Sequence, residues 1–292
     1  MDGRKGLDVR WMVVGADGML GQDLTALLTE RGEQVAGCDR DTVDITDPEA
    51  ARRATDADVV VNCAAYTAVD AAESDESAAF GVNAVGPANL ARACRASGAR
   101  LVQISTDYVF AGDSEQPYPE GHPVAPRSAY GRTKAAGEWA VRADAPDHLV
   151  VRTAWLYGAR GSSFPKTIAR VARERGGLDV VVDEVGQPTW TVDLADLVHR
   201  LVVAGAPSGT YHGTSSGRVS WHGFARAVVA SIGLDPAIVR ETTSAAYGRP
   251  APRPAFSVLG HDELTAVGVE PIGDWAERWA LAARSVLAPP AP

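Results

Sequence analysis

The chain has 292 residues and an acidic balance, with 28 Lys and Arg residues against 37 Asp and Glu residues and a formal net charge of −9. Sequence-independent binding to nucleic acid needs a basic surface, so this balance argues against it. Hydrophobic residues make up 46% of the chain and charged residues 22%, which is usual for a globular protein with a sizeable core.

The sequence pattern shows no features of a membrane or secreted protein. No apolar run approaches the ~18 residues that cross a bilayer. The first ten residues are polar and lack the apolar core of a signal peptide. Cys38, Cys63 and Cys94 have no CxxC spacing, which predicts reduced thiols rather than disulfides or a zinc site. We therefore expect a cytoplasmic protein that does not bind a membrane. The sequence points to no metal-ligating residues and leaves a magnesium requirement open.

The first two thirds of the chain alternate short apolar runs with helical patterns. Strands are predicted at Trp11–Val14, Gln34–Cys38, Asp58–Asn62, Leu101–Ser105, His148–Arg152 and Leu178–Val182. Helices are predicted at Met19–Arg31, Pro48–Ala54, Asp75–Ser97 and Ser128–Arg142. Strands that are apolar throughout are typical of a parallel sheet covered on both faces. Repeated strand–helix–strand units then predict an α/β fold with a Rossmann-type, doubly wound parallel sheet.

The pattern changes beyond about Asp183. Helices are predicted at Val192–Val203, Trp221–Ile232 and Trp275–Val286, separated by loops rich in Pro, Arg and Gly. We expect residues 1–182 to form the sheet domain and residues 183–292 to form a smaller C-terminal lobe that closes over its ligand crevice. The Pro-rich end, 288–292, is expected to be frayed.

A glycine-rich turn follows the first predicted strand and opens the first predicted helix. Its sequence is Gly15-Ala-Asp-Gly18-Met-Leu-Gly21. Glycines at such a turn let the backbone approach a pyrophosphate, which the helix N-terminus then stabilises. This predicts a dinucleotide site made of Gly15, Asp17, Gly18, Met19, Leu20 and Gly21.

The end of the second predicted strand bears on the choice of cofactor. Asp39 lies where an acidic residue holds the adenosine ribose hydroxyls of NAD. Arg40 follows directly, and a guanidinium at this place suits the 2′-phosphate of NADP. The two residues favour opposite cofactors, so the sequence leaves NADH and NADPH both open.

A tyrosine and a lysine lie four residues apart on the helix predicted over Ser128–Arg142. Tyr130 and Lys134 therefore share one helix face. A free tyrosine has a pKa of about 10, and the Lys134 ammonium is expected to lower the pKa of Tyr130 by stabilising the phenolate. Such a phenol is a workable acid and base for interconverting a carbonyl and an alcohol. Thr106, at the end of a predicted strand, is expected to hydrogen-bond the substrate oxygen together with the phenol.

These features together resemble the extended short-chain dehydrogenases/reductases and, more narrowly, the dTDP-4-dehydrorhamnose reductase family. Besides the glycine turn and Tyr130-xxx-Lys134, the resemblance rests on Asn62-Cys-Ala-Ala-Tyr-Thr-Ala-Val-Asp70, Ser105-Thr-Asp-Tyr-Val-Phe110, Arg152-Thr-Ala-Trp155-Leu-Tyr-Gly158, Gly186-Gln-Pro-Thr189 and Arg253-Pro-Ala-Phe-Ser257-Val-Leu259. It covers nearly the whole chain. It implies reduction of the C4 ketone of a dTDP-linked 4-keto-6-deoxy sugar by NADPH or NADH, in the biosynthesis of rhamnose or an antibiotic deoxysugar. A homodimer is an expectation at the level of the family only.

The resemblance also implies roles for individual residues. Tyr130 would protonate the C4 carbonyl oxygen as the nicotinamide delivers hydride, Lys134 would hold the nicotinamide ribose, and Thr106 would orient the carbonyl. Further cofactor contacts are implied for Asp44, Ile45, Ala64, Ala65, Tyr66 and Ser105. Substrate contacts are implied for Thr67, Val69, Asp107, Tyr108, Trp155, Gln187, Arg253 and Ser257, with Arg253 and Ser257 at the pyrophosphate.

Three other functions share parts of this pattern. Sugar-nucleotide 4,6-dehydratases resemble Thr-Asp-Glu-Val-Tyr where this chain has Tyr108 in place of Glu, so the acid that eliminates the C6 hydroxyl is missing. A nucleotide-sugar 4-epimerase uses the same Thr, Tyr and Lys but retains its cofactor. The regulatory subunit of methionine adenosyltransferase resembles these reductases but is a binding partner. The sequence disfavours the dehydratase and leaves the other two open, together with the identity of the sugar and its C4 configuration.

Overall fold

A computed structural model describes residues 9–288. In chain order its strands are β1 Arg10–Val14, β2 Gln34–Cys38, β3 Val59–Asn62, β4 Arg100–Thr106, β5 His148–Thr153, β6 Leu156–Tyr157, β7 Leu178–Val181, β8 Val185–Gly186, β9 Thr189–Trp190, β10 Gly209–His212, β11 Ser215–Ser216, β12 Val219–Ser220, β13 Val239–Thr242 and β14 Ile272–Asp274. The frayed end predicted from the sequence lies almost wholly outside the described residues.

The helices alternate with these strands. In chain order they are α1 Met19–Glu30, α2 Pro48–Arg53, α3 Val69–Ala72, α4 Glu76–Phe80, α5 Gly86–Ser97, α6 Ala129–Asp144, α7 Phe164–Arg175, α8 Thr191–Val203, α9 Trp221–Ser231, α10 Ser244–Tyr247, α11 Asp262–Ala266 and α12 Trp275–Val286. A π-helical turn, Gly81–Val85, joins α4 to α5, and 3₁₀ turns occupy Asp107–Val109 and Pro236–Ile238. Within residues 9–288, none of the helices has the length and hydrophobicity needed to span a membrane.

The central sheet has six strands in the order β10-β5-β4-β3-β1-β2, and every neighbouring pair is parallel. Since β1 lies between β2 and β3, the winding of the chain reverses there. Such a switch point opens a crevice at the carboxyl ends of the strands, where ligands of this class of fold bind. The predicted α/β fold with a Rossmann-type, doubly wound sheet is confirmed.

Both faces of the sheet are covered, which explains why its inner strands are apolar throughout. Trp11 and Val13 of β1 point to the face covered by α1 and α8. Val14 points to the opposite face, where it packs with residues of α2, α5 and α6. Successive side chains of a strand alternate between the two faces, so a strand buried on both sides needs hydrophobic residues at every position.

The predicted place of Leu178–Val182 in the central sheet is wrong. β7 pairs instead with β13 in a separate two-stranded sheet, and Leu178 packs with Phe224 and Trp279 in a second hydrophobic core. The sixth strand is β10, which pairs with β5 at the edge of the sheet. Its sequence, Gly-Thr-Tyr-His, contains no apolar run that would have marked it as a strand.

Residues from both sides of residue 182 contribute to the central sheet and to the second core. α8 and β10, which follow that residue, pack on or within the central sheet. Residues of β6, α7 and β7, which precede it, belong to the second core together with α9 and α12. The chain thus leaves the sheet after β5, returns to it for α8 and β10, and then completes the C-terminal lobe.

The helix predicted over Asp75–Ser97 is present as α4, the π turn and α5 in succession. Pro87 explains the π turn, since it has no N–H to donate to the carbonyl of Asn83 four residues earlier. The predicted end of the helix at Ser97 is confirmed, and the following residue, Gly98, has the left-handed φ of 82° typical of a helix C-terminus. The Asp47 carboxylate caps α2 by accepting from the N–H of Glu49 at 2.9 Å.

Candidate active site

A cavity of about 770 Å³ opens at the carboxyl ends of the central strands. It brings together most of the residues that the sequence pointed to. They are Gly15, Asp17, Gly18, Met19, Leu20, Asp39, Arg40, Asp44, Ile45, Ala64, Ala65, Tyr66, Thr67, Val69, Ser105, Thr106, Asp107, Tyr108, Tyr130, Lys134 and Trp155. Four predicted residues do not line it, namely Gly21, Gln187, Arg253 and Ser257.

The glycine turn forms one wall of this cavity. Gly15 has a left-handed φ of 78°, and a Cβ there would lie 2.7 Å from the backbone nitrogen of Ala64. A Cβ at Gly21 would lie 2.1 Å from the carbonyl oxygen of Gly15, so Gly21 serves the packing of α1 against the turn. Gly18 precedes α1 and offers no side-chain cap. The first N–H groups of α1 therefore lack a side-chain acceptor, which suits a phosphate group.

Asp39 and Arg40 lie at the end of the cavity next to β2. The Asp39 carboxylate accepts from the backbone N–H of Asp17 at 2.8 Å and from that of Arg40 at 2.8 Å. It therefore fixes the glycine turn relative to β2. On the same side, the Asp44 carboxylate accepts from the hydroxyl and the N–H of Thr46, and these bonds hold the pKa of Asp44 below its usual value.

Asn83, in the π turn, organises the loop after β3. Its side-chain oxygen accepts from the N–H of Tyr66 at 2.8 Å, and its NH₂ donates to the carbonyl of Tyr66 at 3.0 Å. The same NH₂ donates to the Thr133 hydroxyl at 3.1 Å. One buried side chain thus ties a wall of the cavity to α6. Sequence reasoning missed Asn83, although a polar residue within an Ala-rich helix and four residues before a proline was a usable signal.

Tyr130 lies in the first turn of α6, which Ser128 caps by accepting from the N–H of Gly131 at 3.1 Å. The ring of Tyr130 meets Tyr108 edge to face, with 5.5 Å between centroids. The expected lowering of the Tyr130 pKa is wrong for this structure. Burial raises the pKa of Tyr130 to about 12, and the neighbouring Thr106 hydroxyl opposes this only in part. The phenol is therefore protonated at neutral pH.

Lys134 is buried one turn further along α6. Its ammonium donates to the carbonyl of Ile104 at 2.7 Å, and burial lowers the pKa of Lys134 to about 8, with the Glu138 carboxylate acting in the opposite direction. Glu138 accepts from the Ser105 hydroxyl at 2.6 Å and pairs with Arg152 at 2.9 and 2.8 Å. This buried network fixes the strand end that carries Thr106. No sequence pattern pointed to Glu138 or to its pairing with Arg152.

Thr106 and Asp107 end β4 at the floor of the cavity. The Thr106 hydroxyl donates to the Asp107 carboxylate at 3.0 Å and accepts from the N–H of Tyr108 at 3.2 Å. Burial raises the pKa of Asp107 to about 6, while the hydroxyls of Ser257 and Thr106 oppose the rise. The strand end thus presents a hydroxyl and a weakly acidic carboxyl beside the phenol.

Trp155 and Trp221 form an aromatic wall of the cavity. Their rings are stacked, with 3.5 Å between centroids and 7° between planes. Among residues 9–288, Trp155 is the one non-glycine residue with a positive φ, at 47°. A Cβ at Gly186 would lie 2.6 Å from the Trp155 indole, so the missing side chain makes room for the ring. Backbone strain of this kind persists where the surroundings hold it, and it is frequent at functional sites. Trp221 was predicted only as the start of a helix.

The other predicted substrate residues do not themselves line the cavity. Gln187 is buried, and its side-chain amide hydrogen-bonds to the backbone of Leu259 and to the Thr214 hydroxyl. These hydrogen bonds are internal to the protein and do not face the cavity. Ser257 is buried next to Asp107. Arg253 lies near the cavity residue Tyr108, and its guanidinium pairs with Asp70.

The RmlD substrate binding domain family matches residues 9–287 of the chain. The chain belongs to this family. A relative from Streptomyces griseus, named dTDP-4-dehydrorhamnose reductase, is 50% identical over 274 residues, covering 91% of this chain and 90% of that protein. A relative from Streptomyces antibioticus, named probable dTDP-4,6-dihydroxy-2-methyloxan-3-one 4-ketoreductase, is 49% identical and covers 91% of this chain and 92% of that protein.

Solved structures of the family have the same architecture. The crystal structure of dTDP-4-dehydrorhamnose reductase from Bacillus anthracis in complex with NADP superposes with a TM-score of 0.91 at 34% identity, covering 94% of this chain and 99% of that one. The resemblance drawn from the sequence motifs is therefore confirmed. Within residues 9–288, no group of three or more His, Cys, Asp and Glu side chains is placed to hold a metal ion.

Proposed function

We propose that this RmlD-family chain reduces the C4 ketone of a dTDP-linked 4-keto-6-deoxy sugar with NADPH or NADH as the hydride source. One observation carries the proposal. A half-buried, protonated phenol, Tyr130, lies beside the Thr106 hydroxyl in a cavity that also contains the glycine turn. A ketone that gains a hydride needs a proton at its oxygen, and a phenol with a raised pKa is a donor for that proton.

The residues present fit a dinucleotide. The N-terminus of α1, with no side-chain cap at Gly18, faces the cavity and would hold the pyrophosphate. Asp39 and Arg40 would contact the adenosine ribose, and Lys134 would hold the nicotinamide ribose. A reduced nicotinamide bound there supplies the hydride. Asp39 already bonds two backbone N–H groups and Arg40 lines the same wall, so the site supports both NADH and NADPH as candidates.

The proton moves from the Tyr130 hydroxyl to the substrate oxygen. Thr106 would orient that oxygen by donating its hydroxyl proton to it in place of Asp107, while the N–H of Tyr108 continues to donate to the hydroxyl oxygen. The Lys134 ammonium would then stabilise the phenolate left behind, since an adjacent positive charge favours the charged form of a phenol. Thr67, Val69, Tyr108 and Trp155 would surround the sugar ring.

The test is to follow oxidation of NADPH and of NADH with a panel of nucleotide-linked 4-keto-6-deoxy sugars, and to determine the C4 configuration of the product. Tyr130→Phe should lower kcat by about 100-fold or more, because general acid catalysis contributes at least that much, while the cofactor Kd stays within about twofold. Tyr211→Phe is the matched control, since Tyr211 is a buried tyrosine of β10 whose hydroxyl donates to the carbonyl of Pro207, away from the cavity.

Three outcomes would contradict the proposal. An epimerase would interconvert C4 configurations without net oxidation of the cofactor. A regulatory subunit would bind the cofactor and turn over none of the sugars. A Tyr130→Phe variant as active as the wild type would exclude the phenol as proton donor.

The net charge and the exposed apolar side chains bear on the partners of the protein. The acidic net charge of −9 supports a protein that does not bind nucleic acid. A homodimer is supported by large apolar side chains that remain exposed on α4, the π turn and α6, namely Phe80, Val85 and Trp139. Light scattering should give twice the mass of the chain, and a monomer at micromolar concentration would contradict the dimer.

A further inference from the structure

Asp70 and Arg253 form an ion pair between the two parts of the molecule. Asp70 lies in α3, directly after the cavity residue Val69, and Arg253 lies in the loop that follows α10. Nη1 and Nη2 of Arg253 both donate to the Asp70 carboxylate, the latter at 2.9 Å. The same carboxylate accepts from the N–H of Ala251 at 3.1 Å. This paired arrangement occupies the two nitrogen atoms that a guanidinium uses for bidentate binding of an anion.

The charges around Arg253 balance without a ligand. Its charged neighbours are the carboxylates of Asp70 and Glu184, and Glu184 is in turn paired with Arg249 at 3.2 Å. Two carboxylates and two guanidinium groups therefore lie close together here, with the Tyr108 phenol beside them. A diphosphate added to this set would meet a surplus of negative charge unless one carboxylate withdrew.

Asp70 is the carboxylate that is able to withdraw. Its side chain is 44% exposed, whereas those of Arg253 and Glu184 are 12% and 4% exposed. An exposed carboxylate regains its hydration when it leaves its partner, and an incoming diphosphate would take its place, so that the guanidinium of Arg253 is not left unpaired. Withdrawal of Glu184 would instead break its buried ion pair with Arg249, which costs more free energy than withdrawal of the exposed Asp70.

We propose that Asp70 competes with the substrate diphosphate for Arg253 and so sets the affinity of the enzyme for its nucleotide sugar. This inference rests on the proposed function, which places a dTDP-linked sugar in the cavity. Without a ligand, Arg253 donates to the Asp70 carboxylate and to the carbonyl of Ala251, the latter at 2.7 Å. Binding of the diphosphate exchanges one anion for another at the same guanidinium.

The test is calorimetric titration of the full chain with dTDP. Asp70→Asn removes the competing charge but keeps the size of the side chain, and it should lower the Kd for dTDP by about three- to tenfold, the range expected from the energy of such an ion pair. The Kd for NADPH should not change. In an Arg253→Gln background, the Asp70→Asn change should have no effect on dTDP binding, because the two side chains act as a pair.

Asp179→Asn is the matched control. Asp179 makes a comparable two-point ion pair with Arg240, at 2.8 and 3.1 Å, in the small sheet of β7 and β13. This variant should bind dTDP as the wild type does. Weaker or equal binding of dTDP by Asp70→Asn would overturn the competition, while turnover by the wild type would leave the proposed function standing. Failure of the wild type to bind dTDP at all would overturn both.

Discussion

The acid–base chemistry of single residues depends on burial more than on spacing in this protein. Tyr130 and Lys134 share a helix face, as their separation of four residues requires. Both pKa values nonetheless shift in the direction that favours the neutral form, to about 12 for Tyr130 and about 8 for Lys134. The cause is burial, which disfavours the charged form of each group. For a reductase this direction is useful, since the phenol must hold a proton before it can donate one.

The lowered pKa of Lys134 predicts a pH dependence of the proposed reaction. Below about 8 the lysine is charged and stabilises the phenolate; as the pH rises through that value, the charge is lost. We therefore expect kcat/KM for reduction to fall by about tenfold per pH unit above this pKa. A pH profile from 6 to 10 measures this. Lys134→Arg keeps the charge over the whole range, so its activity, although lower, should lack the alkaline decline.

A wild-type profile that is flat up to pH 10 would contradict this reading. So would an unchanged alkaline decline in Lys134→Arg, because that result would assign the titration to another group.

At the scale of elements, α6 is placed by close contacts of its backbone. Gly137 lies one turn after the catalytic pair, and a Cβ there would lie 2.1 Å from the carbonyl oxygen of Asn83. That carbonyl is in the π turn and has no proline N–H to accept. The π turn and Gly137 together let α6 approach the loop that holds Tyr66.

This contact predicts opposite effects for two glycine substitutions. Gly137→Ala should lower the free energy of unfolding by about 1–3 kcal/mol, because the added methyl group forces α6 away from the π turn. Gly81→Ala is the matched control, since Gly81 is also helical and a Cβ there meets no neighbour within 4 Å. It should be neutral or stabilise by about 0.5–1 kcal/mol. Urea unfolding of both variants decides this, and equal stability of the two would contradict the role assigned to Gly137.

At the scale of the whole molecule, the Trp155–Trp221 stack joins the central sheet to the C-terminal lobe. Trp155 follows β5, and Trp221 begins α9, which packs in the second core. Phe164 of α7 packs against Trp221 at 4.4 Å between centroids. The lobe therefore holds the strained Trp155 in the position where it lines the cavity.

Trp221→Ala should accordingly change sugar binding rather than cofactor binding. We expect the KM for the sugar nucleotide to rise by about tenfold, corresponding to the loss of an aromatic pair of about 1.4 kcal/mol. The Kd for NADPH should stay within about twofold. Trp139→Ala is the control, since Trp139 is 68% exposed on α6. Near-ultraviolet circular dichroism should report the loss of the stacked indoles in Trp221→Ala alone. An unchanged KM would contradict the support of Trp155 by Trp221.

The sequence by itself determined the features that local chemistry controls. Each of these features depends on residues close together in the chain and could therefore be predicted. They are the apolar strands, the glycine turn and the spacing of Tyr130 and Lys134. The strand β10 was not readable, since an edge strand has one neighbour and needs no apolar run. Only the tertiary structure decided the pKa of Tyr130, the stacking of Trp221 on Trp155 and the pairing of Asp70 with Arg253. Each of these depends on burial or on residues distant in sequence, which the packing of the C-terminal lobe against the central sheet brings together.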